Sequence, residues 1–335
     1  MNYKKLRKIL KLAAVSIVLV VVAFVIVAFL ELRHSYPPMP KLAGRIEHGV
    51  LRHDGRTRSW IAYLPGKVAI HPALVIVLHG SMGSGEQARK SFGYDFDLLA
   101  DREGFIAVYP QGFEGQWNDC RIKGPYSAKT KHIDDVGFLH ALVDRLASDH
   151  GVDRTRVYVT GVSNGGSMTL CLAFRTPQFA RAYAAVAASV PAASNMAVPP
   201  NNQPVSILIM DGTDDPINPW QGGDVVLWPV LASRGPVLSV QASIDYFRHL
   251  AGLDGAPQVT QFPDRDPGDG STVERALWSA PGKPEVALFT ILGGGHSVPH
   301  PAMYGWRLLG HSNRDIHAAE EIWDFFANAP QTTKE

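Results

Sequence analysis

The sequence predicts an α/β domain with a mostly parallel central sheet flanked by helices, preceded by one N-terminal transmembrane helix. Three observations predict it. Apolar runs of strand length alternate with segments of helical spacing along most of the chain. Several of those runs, residues 73–78 among them, lack polar alternation, as strands covered on both faces do. The chain also opens with an uncharged apolar stretch quite unlike the remainder of the sequence.

That stretch, residues 12–30, is roughly 19 residues long, about enough to cross a bilayer core as a helix. Lys4, Lys5, Arg7, Lys8 and Lys11 precede it, a charge pattern that keeps the N-terminus in the cytoplasm and sends the rest across. Its exit, Val27-Ala28-Phe29-Leu30, is bulky where signal cleavage wants small residues, so an uncleaved signal anchor is expected over a cleaved secretory signal. Residues 1–33 are thus read as a basic stub and anchor, and 34–42 as a proline-rich linker. Residues 43–330 form the working domain, outside the cytoplasm: membrane-anchored, or secreted if the segment is cleaved.

Within that domain, His53-Asp54-Gly55-Arg56 sits between two short runs, and Asp-Gly marks a tight hairpin. Strands are expected at 73–78, 105–109, 156–160, 183–189, 205–210 and 286–291. Helices are expected at 92–103, from the Asp134-Asp135 cap to about His150, from the glycine turn at 161–166 to Arg175, at 240–251 and at 315–327. Asp264 to Gly270 reads as a surface hairpin turn; its spacing departs from a calcium loop and the closing glutamate is missing.

Gly161-Val162-Ser163-Asn164-Gly165 is a Gly-x-Ser-x-Gly pattern, weak as five letters but strong between a strand and a helix, where a strained serine is held above the sheet edge. A serine hydroxyl needs a base and an orienting carboxylate, expected in the order Ser, acid, His. His296, in Gly294-Gly295-His296 after the strand at 286–291, is the candidate base; His300 and His311 lack that setting. For the acid, Asp211, Asp214 and Asp215 compete after the strand at 205–210. Asp215 is preferred because it lies beyond the turn with Pro216 and Ile217 behind it, and a calcium site there would need six or more oxygen ligands. An oxyanion hole is expected from the backbone N–H of Asn164 and of Ser81, with Met82 the alternative to Ser81 in His79-Gly80-Ser81-Met82-Gly83. Trp117, Trp220, Trp228 and Trp306 are candidates to line a substrate cleft, and Trp117 and Trp220 are taken as substrate-binding.

Composition narrows the function classes. The 335 residues are 46% hydrophobic and carry 32 Lys+Arg against 31 Asp+Glu, a net +1 that offers no basic field for nucleic acid. Two cysteines, Cys120 and Cys171, exclude a disulfide scaffold and a four-cysteine zinc site but allow one bridge. No metal or organic cofactor is implied.

These residues together resemble the esterases that group polyhydroxybutyrate depolymerases with feruloyl and acetylxylan esterases, carbohydrate esterase family 1. The resemblance runs from about Gly44 to Ala327. It is carried by Leu78-His79-Gly80, Tyr109-Pro110-Gln111-Gly112, Trp117-Asn118-Asp119, Asp134-Asp135-Val136-Gly137-Phe138, Val162-Ser163-Asn164-Gly165-Gly166, Gly212-Thr213-Asp214-Asp215-Pro216 and Gly294-Gly295-His296. It implies an α/β-hydrolase fold and the roles nucleophile, acid and base for Ser163, Asp215 and His296. Two departures stand near the acyl site. Asp211 replaces a histidine common in relatives, and Ser297-Val298 replaces a small residue followed by tryptophan. Residues 221–236 are expected to cover the cleft.

The sequence thus reads as a serine carboxylesterase acting through an acyl-enzyme on a hydroxyalkanoate oligomer, a hydroxycinnamoyl ester or an acetyl ester. A prolyl-oligopeptidase-like peptidase shares the triad order but usually carries a propeller for which this chain has no room. A tethered binding protein with an idle triad is the alternative from another class.

Overall fold

In the computed structural model, residues 3–32, 34–227 and 233–330 are described. In chain order the strands are β1 (Arg45–His53), β2 (Arg56–Leu64), β3 (Leu74–Leu78), β4 (Ile106–Pro110), β5 (Val157–Val162) and β6 (Ala182–Val186). Next come β7 (Ser206–Gly212), β8 (Gly223–Asp224), β9 (Pro236–Val237), β10 (Gln258–Gln261), β11 (Thr272–Trp278) and β12 (Val286–Leu292). The helices are α1 (Tyr3–Leu32), α2 (Gly85–Ser91), α3 (Asp95–Glu103), α4 (Ser127–Thr130), α5 (Asp135–His150), α6 (Asn164–Arg175), α7 (Val240–Leu250) and α8 (Ala318–Asn328).

One ten-stranded sheet, in the order β1-β2-β4-β3-β5-β6-β7-β12-β11-β10, organises the molecule. Its centre, from β4 to β12, is parallel, and antiparallel hairpins close both edges, so the sheet is mixed. The first hairpin turns on Asp54 and Gly55, both at positive φ (48° and 71°), the geometry of a two-residue turn that matches strand twist.

The unalternating runs have the cause inferred from sequence. On β3, Leu74, Ile76 and Leu78 pack with Phe138 and Leu142 of α5, Leu172 of α6 and Phe247 of α7. Val75 and Val77 face the other way, onto Phe96 and Leu99 of α3 and Phe326 of α8. Both faces are covered, so both parities are apolar.

Several boundaries differ from expectation for local reasons. The helix expected over 92–103 is α3, which starts only at Asp95 because Gly93 and Tyr94 adopt positive φ; α2, capped by Ser84 Oγ, precedes it and was not expected from the sequence. The strand expected over 183–189 stops at Val186, where Ala187 turns to φ 52°. The stretch 264–270 connects β10 to β11, two antiparallel strands absent from the sequence expectation.

The transmembrane expectation is corrected. Among the described residues no helix is long and apolar enough to cross a membrane. The transmembrane anchor expected over residues 12–30 is not supported by that finding.

Cys120, in the loop after β4, and Cys171, on α6, are joined as a disulfide that ties this loop to the helix behind Ser163. Sequence alone allows this bridge without requiring it.

Candidate active site

The loops after β3, β5, β7 and β12 all leave the carboxyl ends of parallel strands, where open α/β sheets bind ligands. They carry, in that order, residues 79–83, Ser163, Asp215 and His296.

Ser163 stands between β5 and α6 at φ 58° and ψ −118°, a region that costs a non-glycine residue strain. The turn is possible because its neighbours are glycines. A Cβ on Gly165 would lie 2.3 Å from the Leu78 carbonyl oxygen, and one on Gly161 only 2.5 Å from Gly165. The Ser163 N–H is held by Val186 O at 2.8 Å.

His296 Nδ1 is 2.6 Å from Asp215 Oδ2. The other oxygen of that carboxylate accepts the N–H groups of Ile217 (2.7 Å) and Asn218 (2.8 Å), so the acid is fixed from both sides. Backbone bonds from His296 N to Leu309 O (2.6 Å) and from Gly295 N to His311 O (2.8 Å) set the base loop. Ser163 and His296 line one cavity of about 610 Å³. Among the described residues no hydrogen bond joins their side chains; apo sites commonly tighten such contacts only when substrate enters.

Of the competing acids, Asp214 is exposed beside Thr213. Asp211 is buried below the site, and burial together with the Asp215 charge pushes its carboxyl well above the usual carboxylate range. Asn218 bridges the two, its N–H on Asp215 and its Nδ2 3.3 Å from Asp211.

Both candidate oxyanion donors flank Ser163. Asn164 opens α6, with its side chain held by Trp117 N (2.8 Å to Oδ1) and by Asp119 (2.7 Å from Nδ2). On the facing loop, a Cβ on Gly80 would be 3.5 Å from Ser163 Cβ. Ser81, the next residue, lines the cavity; its Oγ accepts a hydrogen bond from the buried Arg234, whose guanidinium lies 5.3 Å from the Tyr126 ring centroid. Met82, the alternative, also lines the cavity and is 69% exposed.

The loop itself is braced by His79. Its Nε2 accepts the Gly112 N–H at 2.9 Å while Nδ1–H donates to Gly80 O at 2.7 Å, a pattern only the neutral imidazole satisfies. Burial pushes this imidazole down to about 4.

Two expected cleft residues lie elsewhere. Trp117 is fully buried; its Nε1 donates to His79 O at 2.9 Å, clamping the His79 loop onto the residue after Ser163. Trp220 is half-buried against the core and does not line the cavity. Trp306 does line it, with Met303, Leu309, Val298 and Ile217. Trp228 falls at 228–232, outside the described residues, as does part of the expected cleft cover over 221–236; of that loop, Leu227 reaches the cavity.

Among the described residues, Asp95, His300 and His317 are the one group placed as metal ligands would be. Asp95 Oδ2 is 2.8 Å from His317 Nδ1 and 3.4 Å from His300 Nε2. His300 Nδ1 accepts the Ala302 N–H at 3.0 Å, so its Nε2 carries the proton and turns a donor, not a lone pair, to the centre. The arrangement braces the 300s loop against α3 and α8 rather than holding a cation.

Residues 58–199, which include Ser163, the His79 loop and Asp119, match the family model described as esterase PHB depolymerase. The match spans 142 of the 335 residues, and over them the chain is similar to this esterase family. NocK of Nocardia uniformis subsp. tsuyamanensis, an esterase by name, is 28% identical over 279 residues, 81% of this chain and 79% of that protein. Feruloyl esterase B of Neurospora crassa is 33% identical over 37% of this chain and 41% of its own length. Poly(3-hydroxyalkanoate) depolymerase C of Paucimonas lemoignei is 26% identical over 71% and 58%. This chain therefore spans only part of the latter two relatives. Among solved structures, an acetyl xylan esterase from Aspergillus awamori shares the fold, with TM-score 0.53 and 18% identity over 85% of this esterase and 99% of that chain.

Proposed function

We propose that this esterase hydrolyses carboxylic esters through an acyl-enzyme formed on Ser163. The observation that carries the reading is the 2.6 Å contact between His296 and Asp215 at the wall of the cavity that Ser163 enters from its strained turn. The Ser163 oxygen attacks the ester carbonyl carbon and its proton passes to His296 Nε2, which is the free ring nitrogen once Nδ1 is bound by Asp215. The tetrahedral oxyanion is held by the N–H groups of Asn164 and Ser81. Collapse breaks the carbon–oxygen bond, His296 returns the proton to the leaving alcohol, and water repeats the sequence to release the acid.

The substrate class is a hydroxycinnamoyl ester, an acetyl ester or a hydroxyalkanoate oligomer, supported by the names of the relatives and by the apolar cavity wall. A disulfide persists in oxidising compartments, so the Cys120–Cys171 bond supports action outside the cytoplasm.

The test is hydrolysis of p-nitrophenyl acetate, methyl ferulate, acetylated xylan and hydroxybutyrate oligomers by the purified full chain. Activity on at least one ester, lost in Ser163→Ala and lowered by roughly 10⁴ in Asp215→Asn but not in Asp214→Asn, is the expected pattern. Turnover surviving in Ser163→Ala sinks the reading, and a loss that tracks Asp214 instead of Asp215 moves the acid.

A further inference from the structure

The cavity at Ser163 is not closed by the esterase fold alone. His34, Ser35 and Tyr36, which precede β1 and were expected to be part of a linker, line it together with Ser163 and His296. They are held there specifically. Ser35 N donates to Tyr304 O at 2.9 Å and Tyr304 N donates back to Ser35 O at 3.2 Å, a two-bond bridge across the rim. Beside the bridge, the His34 ring meets Tyr36 edge-on at 5.0 Å and Trp306 at 5.9 Å. Tyr36 also packs on the core cluster beneath α8.

We propose that His34 and Tyr36 form one wall of the substrate pocket and select esters by the length of their apolar arm. The proposal rests on the esterase reading above. In this reading an apolar arm that runs from the acyl carbon at Ser163 toward Trp306 packs on these rings, and an acetyl group is too short to use them. The bridge is made by backbone atoms, so it persists when the two side chains, which add ring contacts and packing, are changed. Sequence has no access to this arrangement, because nothing in a Pro-rich stretch announces which surface it crosses.

Three full-length proteins test it: wild type, the double variant His34→Ala/Tyr36→Ala, and Ser35→Pro, which removes the N–H donated to Tyr304 while keeping both rings. Each is assayed on p-nitrophenyl acetate and p-nitrophenyl octanoate, and for binding of the uncleavable p-nitrophenyl octyl ether by quenching of tryptophan fluorescence. Both variants should keep acetate kcat/KM within about twofold, lose roughly tenfold on octanoate through KM, and bind the ether roughly tenfold more weakly. Acetate turnover shows that the triad is intact, so a merely misfolded variant would announce itself by losing both substrates. An octanoate-to-acetate ratio and an ether affinity equal to wild type in both variants would overturn the proposal. If wild type cleaves neither ester, the esterase reading fails, and the ether affinities still decide the pocket wall.

Discussion

The side-chain amide of Asn164 donates to the Asp119 carboxylate across 2.7 Å, linking the residue after Ser163 to a charge buried beneath it. Asp119 also accepts from Arg121 (2.6 Å) and from the Tyr126 hydroxyl (2.9 Å). Burial is the largest effect and works against its charge, but the charge and hydrogen bonds of Arg121 together with the Lys129 charge hold the carboxyl below the usual range. With Oδ1 on Trp117 N, the Asn164 side chain cannot turn, and neither can the peptide whose N–H faces the oxyanion.

Asp119→Asn should therefore act on rate and stability together. Arg121 would be left buried without its partner, a change worth about 3–5 kcal/mol, and kcat should fall about 10- to 100-fold as the oxyanion donor loses its alignment. The double variant Asp119→Leu/Arg121→Met removes both charges and should regain most of the urea midpoint without regaining kcat. Wild-type kcat in Asp119→Asn would show that this network does not reach the oxyanion.

The neutral His79 ties stability to pH. Its folded-state value, about 4, lies below its ordinary 6.5, so between those limits the unfolded chain binds a proton that the folded one refuses. The stabilisation is complete above about pH 6.5 and is lost as pH falls toward 4, by at most about 3 kcal/mol. Urea midpoints of wild type and His79→Gln, compared from pH 7.5 to 4.5, should show a shallower decline in the variant. Parallel declines would assign the acid sensitivity to other groups.

The Cys120–Cys171 bond closes a loop with a sequence separation of 51. Chain-entropy arithmetic for that loop gives about 4 kcal/mol. Cys120→Ala/Cys171→Ala should lose a comparable amount in denaturant titration, and reduction of the wild type should reproduce the loss. A midpoint unchanged by both treatments would mean that packing alone holds the Cys120 loop on α6.

Local patterns are what make a fold legible in its sequence. Ser163, Asp215 and His296 each sit in a loop directly after an apolar strand, so strand runs and glycine turns are enough to nominate Ser163 and His296, which line one cavity, and Asp215, which is bonded to His296 behind its wall. The Asn164–Asp119 bond joins residues 45 positions apart and leaves no local pattern. Trp117 lies away from the cleft expected for it because its direction is set by one distant acceptor, His79 O, which residue type does not encode. The edge strand β10, Gln258-Val259-Thr260-Gln261, escapes sequence reading because it is short and mostly exposed and carries no apolar run. The α1 segment looks long enough in sequence to span a bilayer, and no described helix is.

The central claim is that a single serine carries the acyl group. Incubating the full chain with a fluorophosphonate probe and locating the adduct by peptide mass spectrometry tests it most directly. The account predicts one adduct, on Ser163, absent in Ser163→Ala and formed far more slowly in Asp215→Asn. An adduct on another residue, or unlabelled protein that still hydrolyses esters, would contradict it.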